Sequence, residues 1–424
     1  MVDGGDDDGR DGAERTDGTG AGGGAPASVD GGHDGGHEAG GSDAPADQAT
    51  GWRARLKRHR LLASGVAVVV LAAAVLVPLT VAGDDTPCWQ VPDSVRALAD
   101  DPAAATKALD PGPDLERMSD VKRLLVHEEV CGDGATVLGR VVTAATDASS
   151  PTATHTEAQA RSVYAVADAY EYTDPPAGLA PTLARMLAEY VVDVVRDYQF
   201  ADDDVPRPAV GAEEEVPAED GWVWVGSFLA PGEAHVAFGY RGEGGDVSLQ
   251  PMIRYLLTDP AAFAVLYGAD RAYLAYYLER LTDDGRDPAA HRGKDGNWTD
   301  RATRDLGNIA ECIGELMGSR THFAQEGDIP DLDSFDRVVR GLTPGVYHPA
   351  SRQLDTRPAS GTIAARPVNG PLRGDLTDGR HQMFTVFDTW SEQRHLAAPR
   401  RKELRQLLDT WYVRGVWYAA SARS

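Results

Sequence analysis

The first fifty residues contain no aromatic side chain and, besides Met1 and Val2, only Val29 as an aliphatic larger than alanine. With 15 glycines among them, they have too little apolar surface to offset the entropy of ordering a backbone, so the sequence predicts a tail that stays unfolded. Basic residues are equally scarce there. Twelve Asp and Glu stand against Arg10 and Arg15, which excludes nucleic acid or an anionic lipid surface as the partner of this tail. Cysteine is nearly missing from the whole chain of 424 residues. Cys88, Cys131 and Cys312 are the three, and none lies before position 88. The recognisable catalytic signatures are missing too: no Gly-rich phosphate loop, no Gly-x-Ser-x-Gly elbow, and no Cys and His nucleophile pairing.

What is present begins with a basic flank. Arg53, Arg55, Lys57, Arg58 and Arg60 lead into residues 61–82, an uncharged run interrupted only by small and mildly polar residues such as Ser64, Pro78 and Thr80. As a helix this run spans roughly 33 Å, the thickness of a bilayer's hydrocarbon core. Asp84 and Asp85 follow it, and Arg96 is the next basic residue. The positive-inside rule therefore predicts a single-pass cell-membrane protein with a cytoplasmic N-terminus and an extracytoplasmic C-terminus. A cleaved signal peptide is the competing reading, since Thr80 and Ala82 loosely fit the small residues of a cleavage site. The length of the apolar run and the sixty residues before it favour an uncleaved anchor.

The cysteines agree with export, because all three lie beyond the span, where a compartment is oxidising. Three pairings are open. The favoured one joins Cys88, just past the polar flank, to Cys131 at the end of a helix read over 121–130. Cys312 shares a helix face with Ile309, Ile313 and Leu316 and is expected to be a buried free thiol.

Residues 84–424 hold 54 acidic and 34 basic residues, the chain's 66 and 41 less the 12 and 7 that precede them. A domain this acidic is soluble and binds anionic polymers poorly. Its apolar spacing is chiefly helical: Val121, Leu124 and Leu125; Val163, Val166, Ala167 and Tyr170; Leu183, Leu187, Tyr190, Val191, Val194 and Val195. Further helices are predicted over 249–257, 260–282, 299–325, 331–341 and 399–421, with start signals at Asp259-Pro260, Thr299-Asp300 and Pro399. A small hairpin patch is expected where residues 222–225 and 234–240 flank Pro231-Gly232. Residues 343–380 carry Pro344, Pro349, Pro358, Pro367 and Pro371 and read as a loop or linker, which sets residues 381–424 apart as a C-terminal helical segment beyond a boundary near 342. The fold class is thus mostly α: one transmembrane helix and an extracytoplasmic helical domain of residues 84–342 with a minor β-hairpin patch.

Several phrases resemble a helical module of actinobacterial proteins associated with type VII (WXG-type) secretion and polymorphic toxins. They are Gly134-Ala135-Thr136-Val137-Leu138-Gly139 with Ala144-Ala145-Thr146, then 183–190, then Arg254-Tyr255-Leu256-Leu257-Thr258-Asp259-Pro260-Ala261-Ala262-Phe263, then 310–315. The resemblance covers about 130–325 and lies in helix order rather than in catalytic residues. It implies a secretion-linked helical fold and transfers no chemistry.

Candidate sites are few. His127-Glu128-Glu129 opens like a metalloprotease helix, but the second histidine is replaced by Cys131, better read as a disulfide partner. His155 and Glu157 belong to the start of a helix capped by Thr154 or Thr156. Asp283-Asp284-Gly285-Arg286-Asp287 and Asp295-Gly296-Asn297 lack the geometry of a calcium loop and read as solvated turns. Glu189 and Asp193, one turn apart, are a carboxylate pair of the kind glycoside hydrolysis uses, and equally the spacing of any exposed acidic face. The aromatic stripes Tyr267, Tyr273, Tyr276, Tyr277 and Trp411, Tyr412, Trp417, Tyr418 read as core before carbohydrate platforms. No cofactor, metal, nucleic acid or small-molecule ligand is expected. Two function classes stay open: a membrane adaptor binding envelope proteins, or a secretion or injection apparatus, on one side and a cytoplasmic partner on the other; and a cell-envelope hydrolase acting on wall glycan or peptide.

Overall fold

The computed structural model describes residues 88–148, 153–197, 207–211, 215–218, 221–224, 232–240, 247–288, 290–292, 298–343 and 367–421. The acidic tail, the basic residues Arg53, Arg55, Lys57, Arg58 and Arg60, and the apolar run 61–82 lie outside them. Among the described residues no helix is long and apolar enough to cross a membrane.

The described chain is mostly helical. A first group comprises α1 (Asp93–Leu98), α2 (Pro102–Leu109), α3 (Met118–Leu125), α4 (Gly134–Thr146) and α5 (Glu157–Ala169). Local chemistry sets several starts. The Asp101 carboxylate accepts from the Ala104 amide at 3.0 Å ahead of Pro102, and Thr156 with Gln159 forms a reciprocal capping box at α5. The helix expected over 121–130 stops at Leu125. Residues 126–131 turn extended because their backbone is taken by the incoming segment: the Trp89 amide donates to the Glu129 carbonyl at 2.8 Å and the Cys131 amide to the Trp89 carbonyl at 2.9 Å.

The periodic run 183–195 divides into α6 (Ala180–Glu189) and α7 (Val191–Asp197), with Tyr190 at φ −108° and ψ 30° marking the break. Four short strands follow: β1 (Ala209–Gly211), β2 (Glu215–Ala218), β3 (Gly221–Trp224) and β4 (Ala234–Val236). The expected pairing of 222–225 with 234–240 is corrected. β2 pairs with β3, with Ala218 opposite Gly221, and β1 pairs with β4 outside that inner hairpin, both antiparallel. The hairpin centre lies between Ala218 and Gly221 instead of at Pro231-Gly232.

The remaining helices are α8 (Gln250–Leu256), α9 (Pro260–Arg280), α10 (Ala302–Glu326), α11 (Leu332–Leu342), α12 (Arg380–Gln393) and α13 (Ala398–Ser421), with a two-residue ladder of β5 (His291–Arg292) and β6 (Trp298–Thr299) before α10. Helix α9 is buried around most of its circumference and packs against α6, α10, α11 and α12, as a central helix must. Its start is fixed by Asp259, whose carboxylate accepts from the Ala261 and Ala262 amides, both at 2.9 Å. Helices α10 and α13 run side by side in the same direction, since Gly307 meets Trp411 while Gly318 meets Val416 and Ala419. A Cβ on Gly314 would sit 2.1 Å from the Tyr412 carbonyl oxygen, and one on Gly415 2.1 Å from that of Glu311. Only glycine permits this backbone contact.

The C-terminal segment is therefore no appendage. Residues 84–424 cluster as one unit, separately from residues 1–83. The linker expected over 343–380 ends early: Gly374–Gly379 forms a π-helical turn leading into α12. It is held by Arg320, 1% exposed, which donates from Nε to Asp336 at 2.6 Å and from Nη1 to Asp375 at 2.8 Å. The Tyr412 hydroxyl donates to the Asp375 carbonyl at 2.7 Å. This hub joins α10, α11, the π turn and α13 over sequence distances that no local pattern reveals.

Candidate functional site

The densest group of buried titratable side chains lies where the β1–β4 ladder meets α5 and α7. His155 immediately precedes the cap of α5, and Asp193 sits in the first turn of α7. Period-two alternation along β4 turns Glu233 and His235 toward the same face. His155 Nδ1 is hydrogen-bonded to the Glu233 carboxylate, which also accepts from the His155 amide at 3.2 Å. His235 Nδ1 donates to Asp193 Oδ1 at 2.7 Å, and the other Asp193 oxygen accepts from the Val236 amide at 2.9 Å. All four side chains are at most 1% exposed.

Further polar groups close the centre. Arg196 Nη2 donates to Asp193 at 3.2 Å and to the Val236 carbonyl at 2.9 Å. The Tyr190 ring lies 4.5 Å from that of His155, and its hydroxyl donates to the Thr146 carbonyl at 3.1 Å. Burial pushes the Tyr190 phenol well above its ordinary range, reinforced by Glu233, Asp193, Glu189 and Asp147. Burial likewise raises the Asp147 carboxyl to about 6, although His155 and Arg185 pull the other way. Asp193 shows the opposite balance: burial alone would raise it, yet His235, Arg196 and the hydrogen bonds from His235 and Val236 hold it below the usual carboxylate range. Asp193 thus carries its charge in the interior and Asp147 resists doing so.

Sequence reasoning placed only part of this. Glu189 and Asp193 are both buried, so the exposed acidic face expected for them is corrected, and Asp193 is engaged by His235 and Arg196 rather than aligned with Glu189 as an acid pair. His155 does stand at the start of α5, where Thr156 is the cap, but its partner is 78 residues away. The alternation of Glu233 and His235 within an apolar strand was the available signal.

The other candidates disperse. Cys88 and Cys131 are joined by a disulfide with Cα atoms 5.2 Å apart, and Cys312 is free and buried. His127 follows α3 and does not ride on a helix. Its ring stacks on Trp89, centroids 3.6 Å apart and planes at 11°, while Nε2 lies 3.1 Å from the Leu124 carbonyl and burial lowers its pKa. Tyr267, Tyr276 and Tyr277 are core residues, and so is Tyr412, whereas Trp417 and Tyr418 are 52% and 62% exposed. Among the described residues no group of three or more His, Cys, Asp or Glu is arranged to hold a metal ion. Asp283-Asp284-Gly285-Arg286-Asp287 is a turn at the end of α9, with Arg286 paired to Asp300 at 3.1 Å; residues 295–297 lie outside the described residues. No family model, no curated protein and no solved structure matches this chain.

Proposed function

We propose that this chain is a single-pass membrane adaptor: residues 61–82 span the bilayer, the helical domain engages an envelope protein or secretion machinery outside, and the acidic tail recruits a partner in the cytoplasm. The observation that carries the reading is the clamp at the start of the domain. Six residues after the apolar run, Cys88 is bonded to Cys131, Trp89 joins the backbone of residues 129–131, and its ring is stacked on His127. A covalent and hydrogen-bonded clamp on the first described residues of the domain suits a protein that bears load at that end. An enzyme tethered merely to stay near its substrate has no need of such a clamp.

The hydrolase reading has its best residues in the Asp193–His235 and Glu233–His155 couples. One oxygen of each carboxylate and each Nδ1 atom are engaged by one another inside the domain, which favours a structural use over attack on a wall polymer. Within the adaptor reading, the resemblance over 130–325 points to a type VII secretion apparatus, and the inner tail equally suits docking of a cytoplasmic contractile injection particle.

The reading is tested by photo-crosslinking in intact cells from positions in residues 2–50 and, separately, from exposed positions of α13. Distinct proteins captured from the two sides, with the inner set lost on deletion of residues 2–50, are the expected outcome. Capture of no protein from either side, or release of soluble wall fragments by the purified chain, overturns it.

A further inference from the structure

The disulfide encloses more of the domain than the clamp itself. Cys88 and Cys131 stand 43 positions apart, so their bond closes a covalent ring that contains all of α1, α2 and α3. A chain pulled from the side of Pro87 passes its load through the Cys88 side chain into Cys131, three residues before α4. The backbone between the two cysteines lies off that path. We propose that this bond routes load around α1–α3, and that its opening by a dithiol reductant turns residues 89–130 into an extensible lead that unravels before the rest of the domain. The adaptor reading supplies the load, whereas the path it takes depends on the fold alone.

The ringed section unravels first because little holds it. Helix α1 buries no residue, α2 buries Ala105 and Leu109, and α3 buries Val121 and Leu125. Helix α9, of 21 residues, buries fifteen, and α4, which receives the load, buries eight of its thirteen. The three ringed helices rest on α4 and α5. Two of their ties, Arg96 to Asp133 and Arg140 to Asp100, are exposed ion pairs that contribute little in water. The stronger ones are few. Arg161 donates from Nε and Nη2 to the two Asp110 oxygens at 2.8 and 2.9 Å, and the Lys122 ammonium lies 2.7 Å from Asp168. The Thr106 hydroxyl donates to the Ala145 carbonyl, and the Tyr170 hydroxyl to that of Leu125, both at 3.0 Å. Local opening begins where so few apolar contacts are buried.

Opening the bond balances in two exchange steps. One thiolate of the reductant attacks a cysteine sulfur, forming a mixed disulfide and releasing the other cysteine as a thiolate; the second thiol of the reductant then displaces the first cysteine. Two electrons and two protons pass to Cys88 and Cys131, and the reductant leaves as its own disulfide. Both cysteines are only partly buried, whereas Cys312 is buried and takes no part. Without the bond, load at residue 88 falls first on the two backbone hydrogen bonds of Trp89 and on its stack with His127.

Single-molecule force spectroscopy of the full-length chain in detergent reads the load path, with DNA handles clicked to azide-bearing residues at positions 86 and 424. With the bond intact, the main unfolding event should come with no earlier step. After dithiothreitol is added to the same folded molecule, a separate step at lower force should appear. Its contour length should be about 15 nm, for 43 positions at about 3.6 Å each, and the later event should keep its force. The Cys88→Ser/Cys131→Ser variant should show the same step without reductant. A single event releasing the whole length in the reduced chain, or a 15 nm early step in the oxidised one, overturns the proposal. Where the serine variant fails to fold, reduction of the tethered wild-type chain decides, because that molecule is folded before its bond opens. A chain that captures no partner in cells but shows the step loses the adaptor role and keeps the load path; one that captures partners on both sides without the step loses the load path alone.

Discussion

Two buried polar centres in this domain solve the same problem with different chemistry. The Arg320 centre joins α10, α11 and the π turn through a guanidinium that keeps its proton at every physiological pH. The His155 and His235 centre joins a strand ladder to α5 and α7 through two imidazole–carboxylate hydrogen bonds and the guanidinium of Arg196. One ties the π turn and α11 to α10, and the other ties β4 to α5 and α7. Even the Arg320 centre is not balanced: one arginine faces both Asp336 and Asp375, and burial lifts the Asp375 carboxyl to about 6 despite Arg320 and Thr321.

The largest effect expected from breaking this contrast is at Arg320. Arg320→Met leaves Asp336 and Asp375 buried without their cation and should cost about 3–5 kcal/mol, read as a lowered urea midpoint. A loss within 1 kcal/mol would show that the hub is redundant with the α10–α13 contact. Next comes the covalent strut. Cys88→Ser with Cys131→Ser opens a loop of sequence separation 43 and should lower stability by about 2–4 kcal/mol, without altering exchange in peptides covering 232–240.

The pH dependence sharpens the contrast further. Asp147 has a folded pKa of about 6, above its ordinary unfolded value, so its contribution is fully present below about pH 4 and is lost as pH rises through 6. Asp147→Asn should therefore gain about 2 kcal/mol over wild type at pH 7 and little at pH 4. An equal change at both pH values would assign the effect to packing. The smallest effect is at the clamp, where His127→Ala removes the stack on Trp89 and should cost about 1 kcal/mol at pH 8 and less at pH 5, because burial disfavours the charged imidazole.

How much of this was legible varies with sequence separation. Helices α8 to α11 and α13 lie within about three residues of where spacing and caps put them, because Asp259-Pro260 and the runs after it act over one or two turns. Helix α12 falls within the C-terminal helical segment read over 381–424 but was given no bounds of its own, as it follows a proline-rich stretch and the π turn before it is held by Asp375 reaching Arg320, 55 residues earlier. The hairpin was paired wrongly because two turn signals compete there and only the outer ladder's contact with α5 and α7 selects the nesting. Neither histidine couple was visible, since the partners are 78 and 42 residues apart and a lone histidine near a helix start looks like part of a cap.

By itself the sequence determined the helical class, the buried state of Cys312, the position of most helices, and a composition that divides a glycine-rich acidic tail and an apolar run from an acidic domain. These are consequences of local spacing and of how much apolar surface each stretch can bury. Tertiary structure alone decided that residues 367–421 belong to the same body as residues 88–343, that Gly314 and Gly415 must be glycines, and that Asp193 is charged inside while Asp147 prefers a proton. Such properties depend on which distant group arrives beside each residue, and in an interior that excludes water a single neighbouring charge or carbonyl settles both packing and protonation.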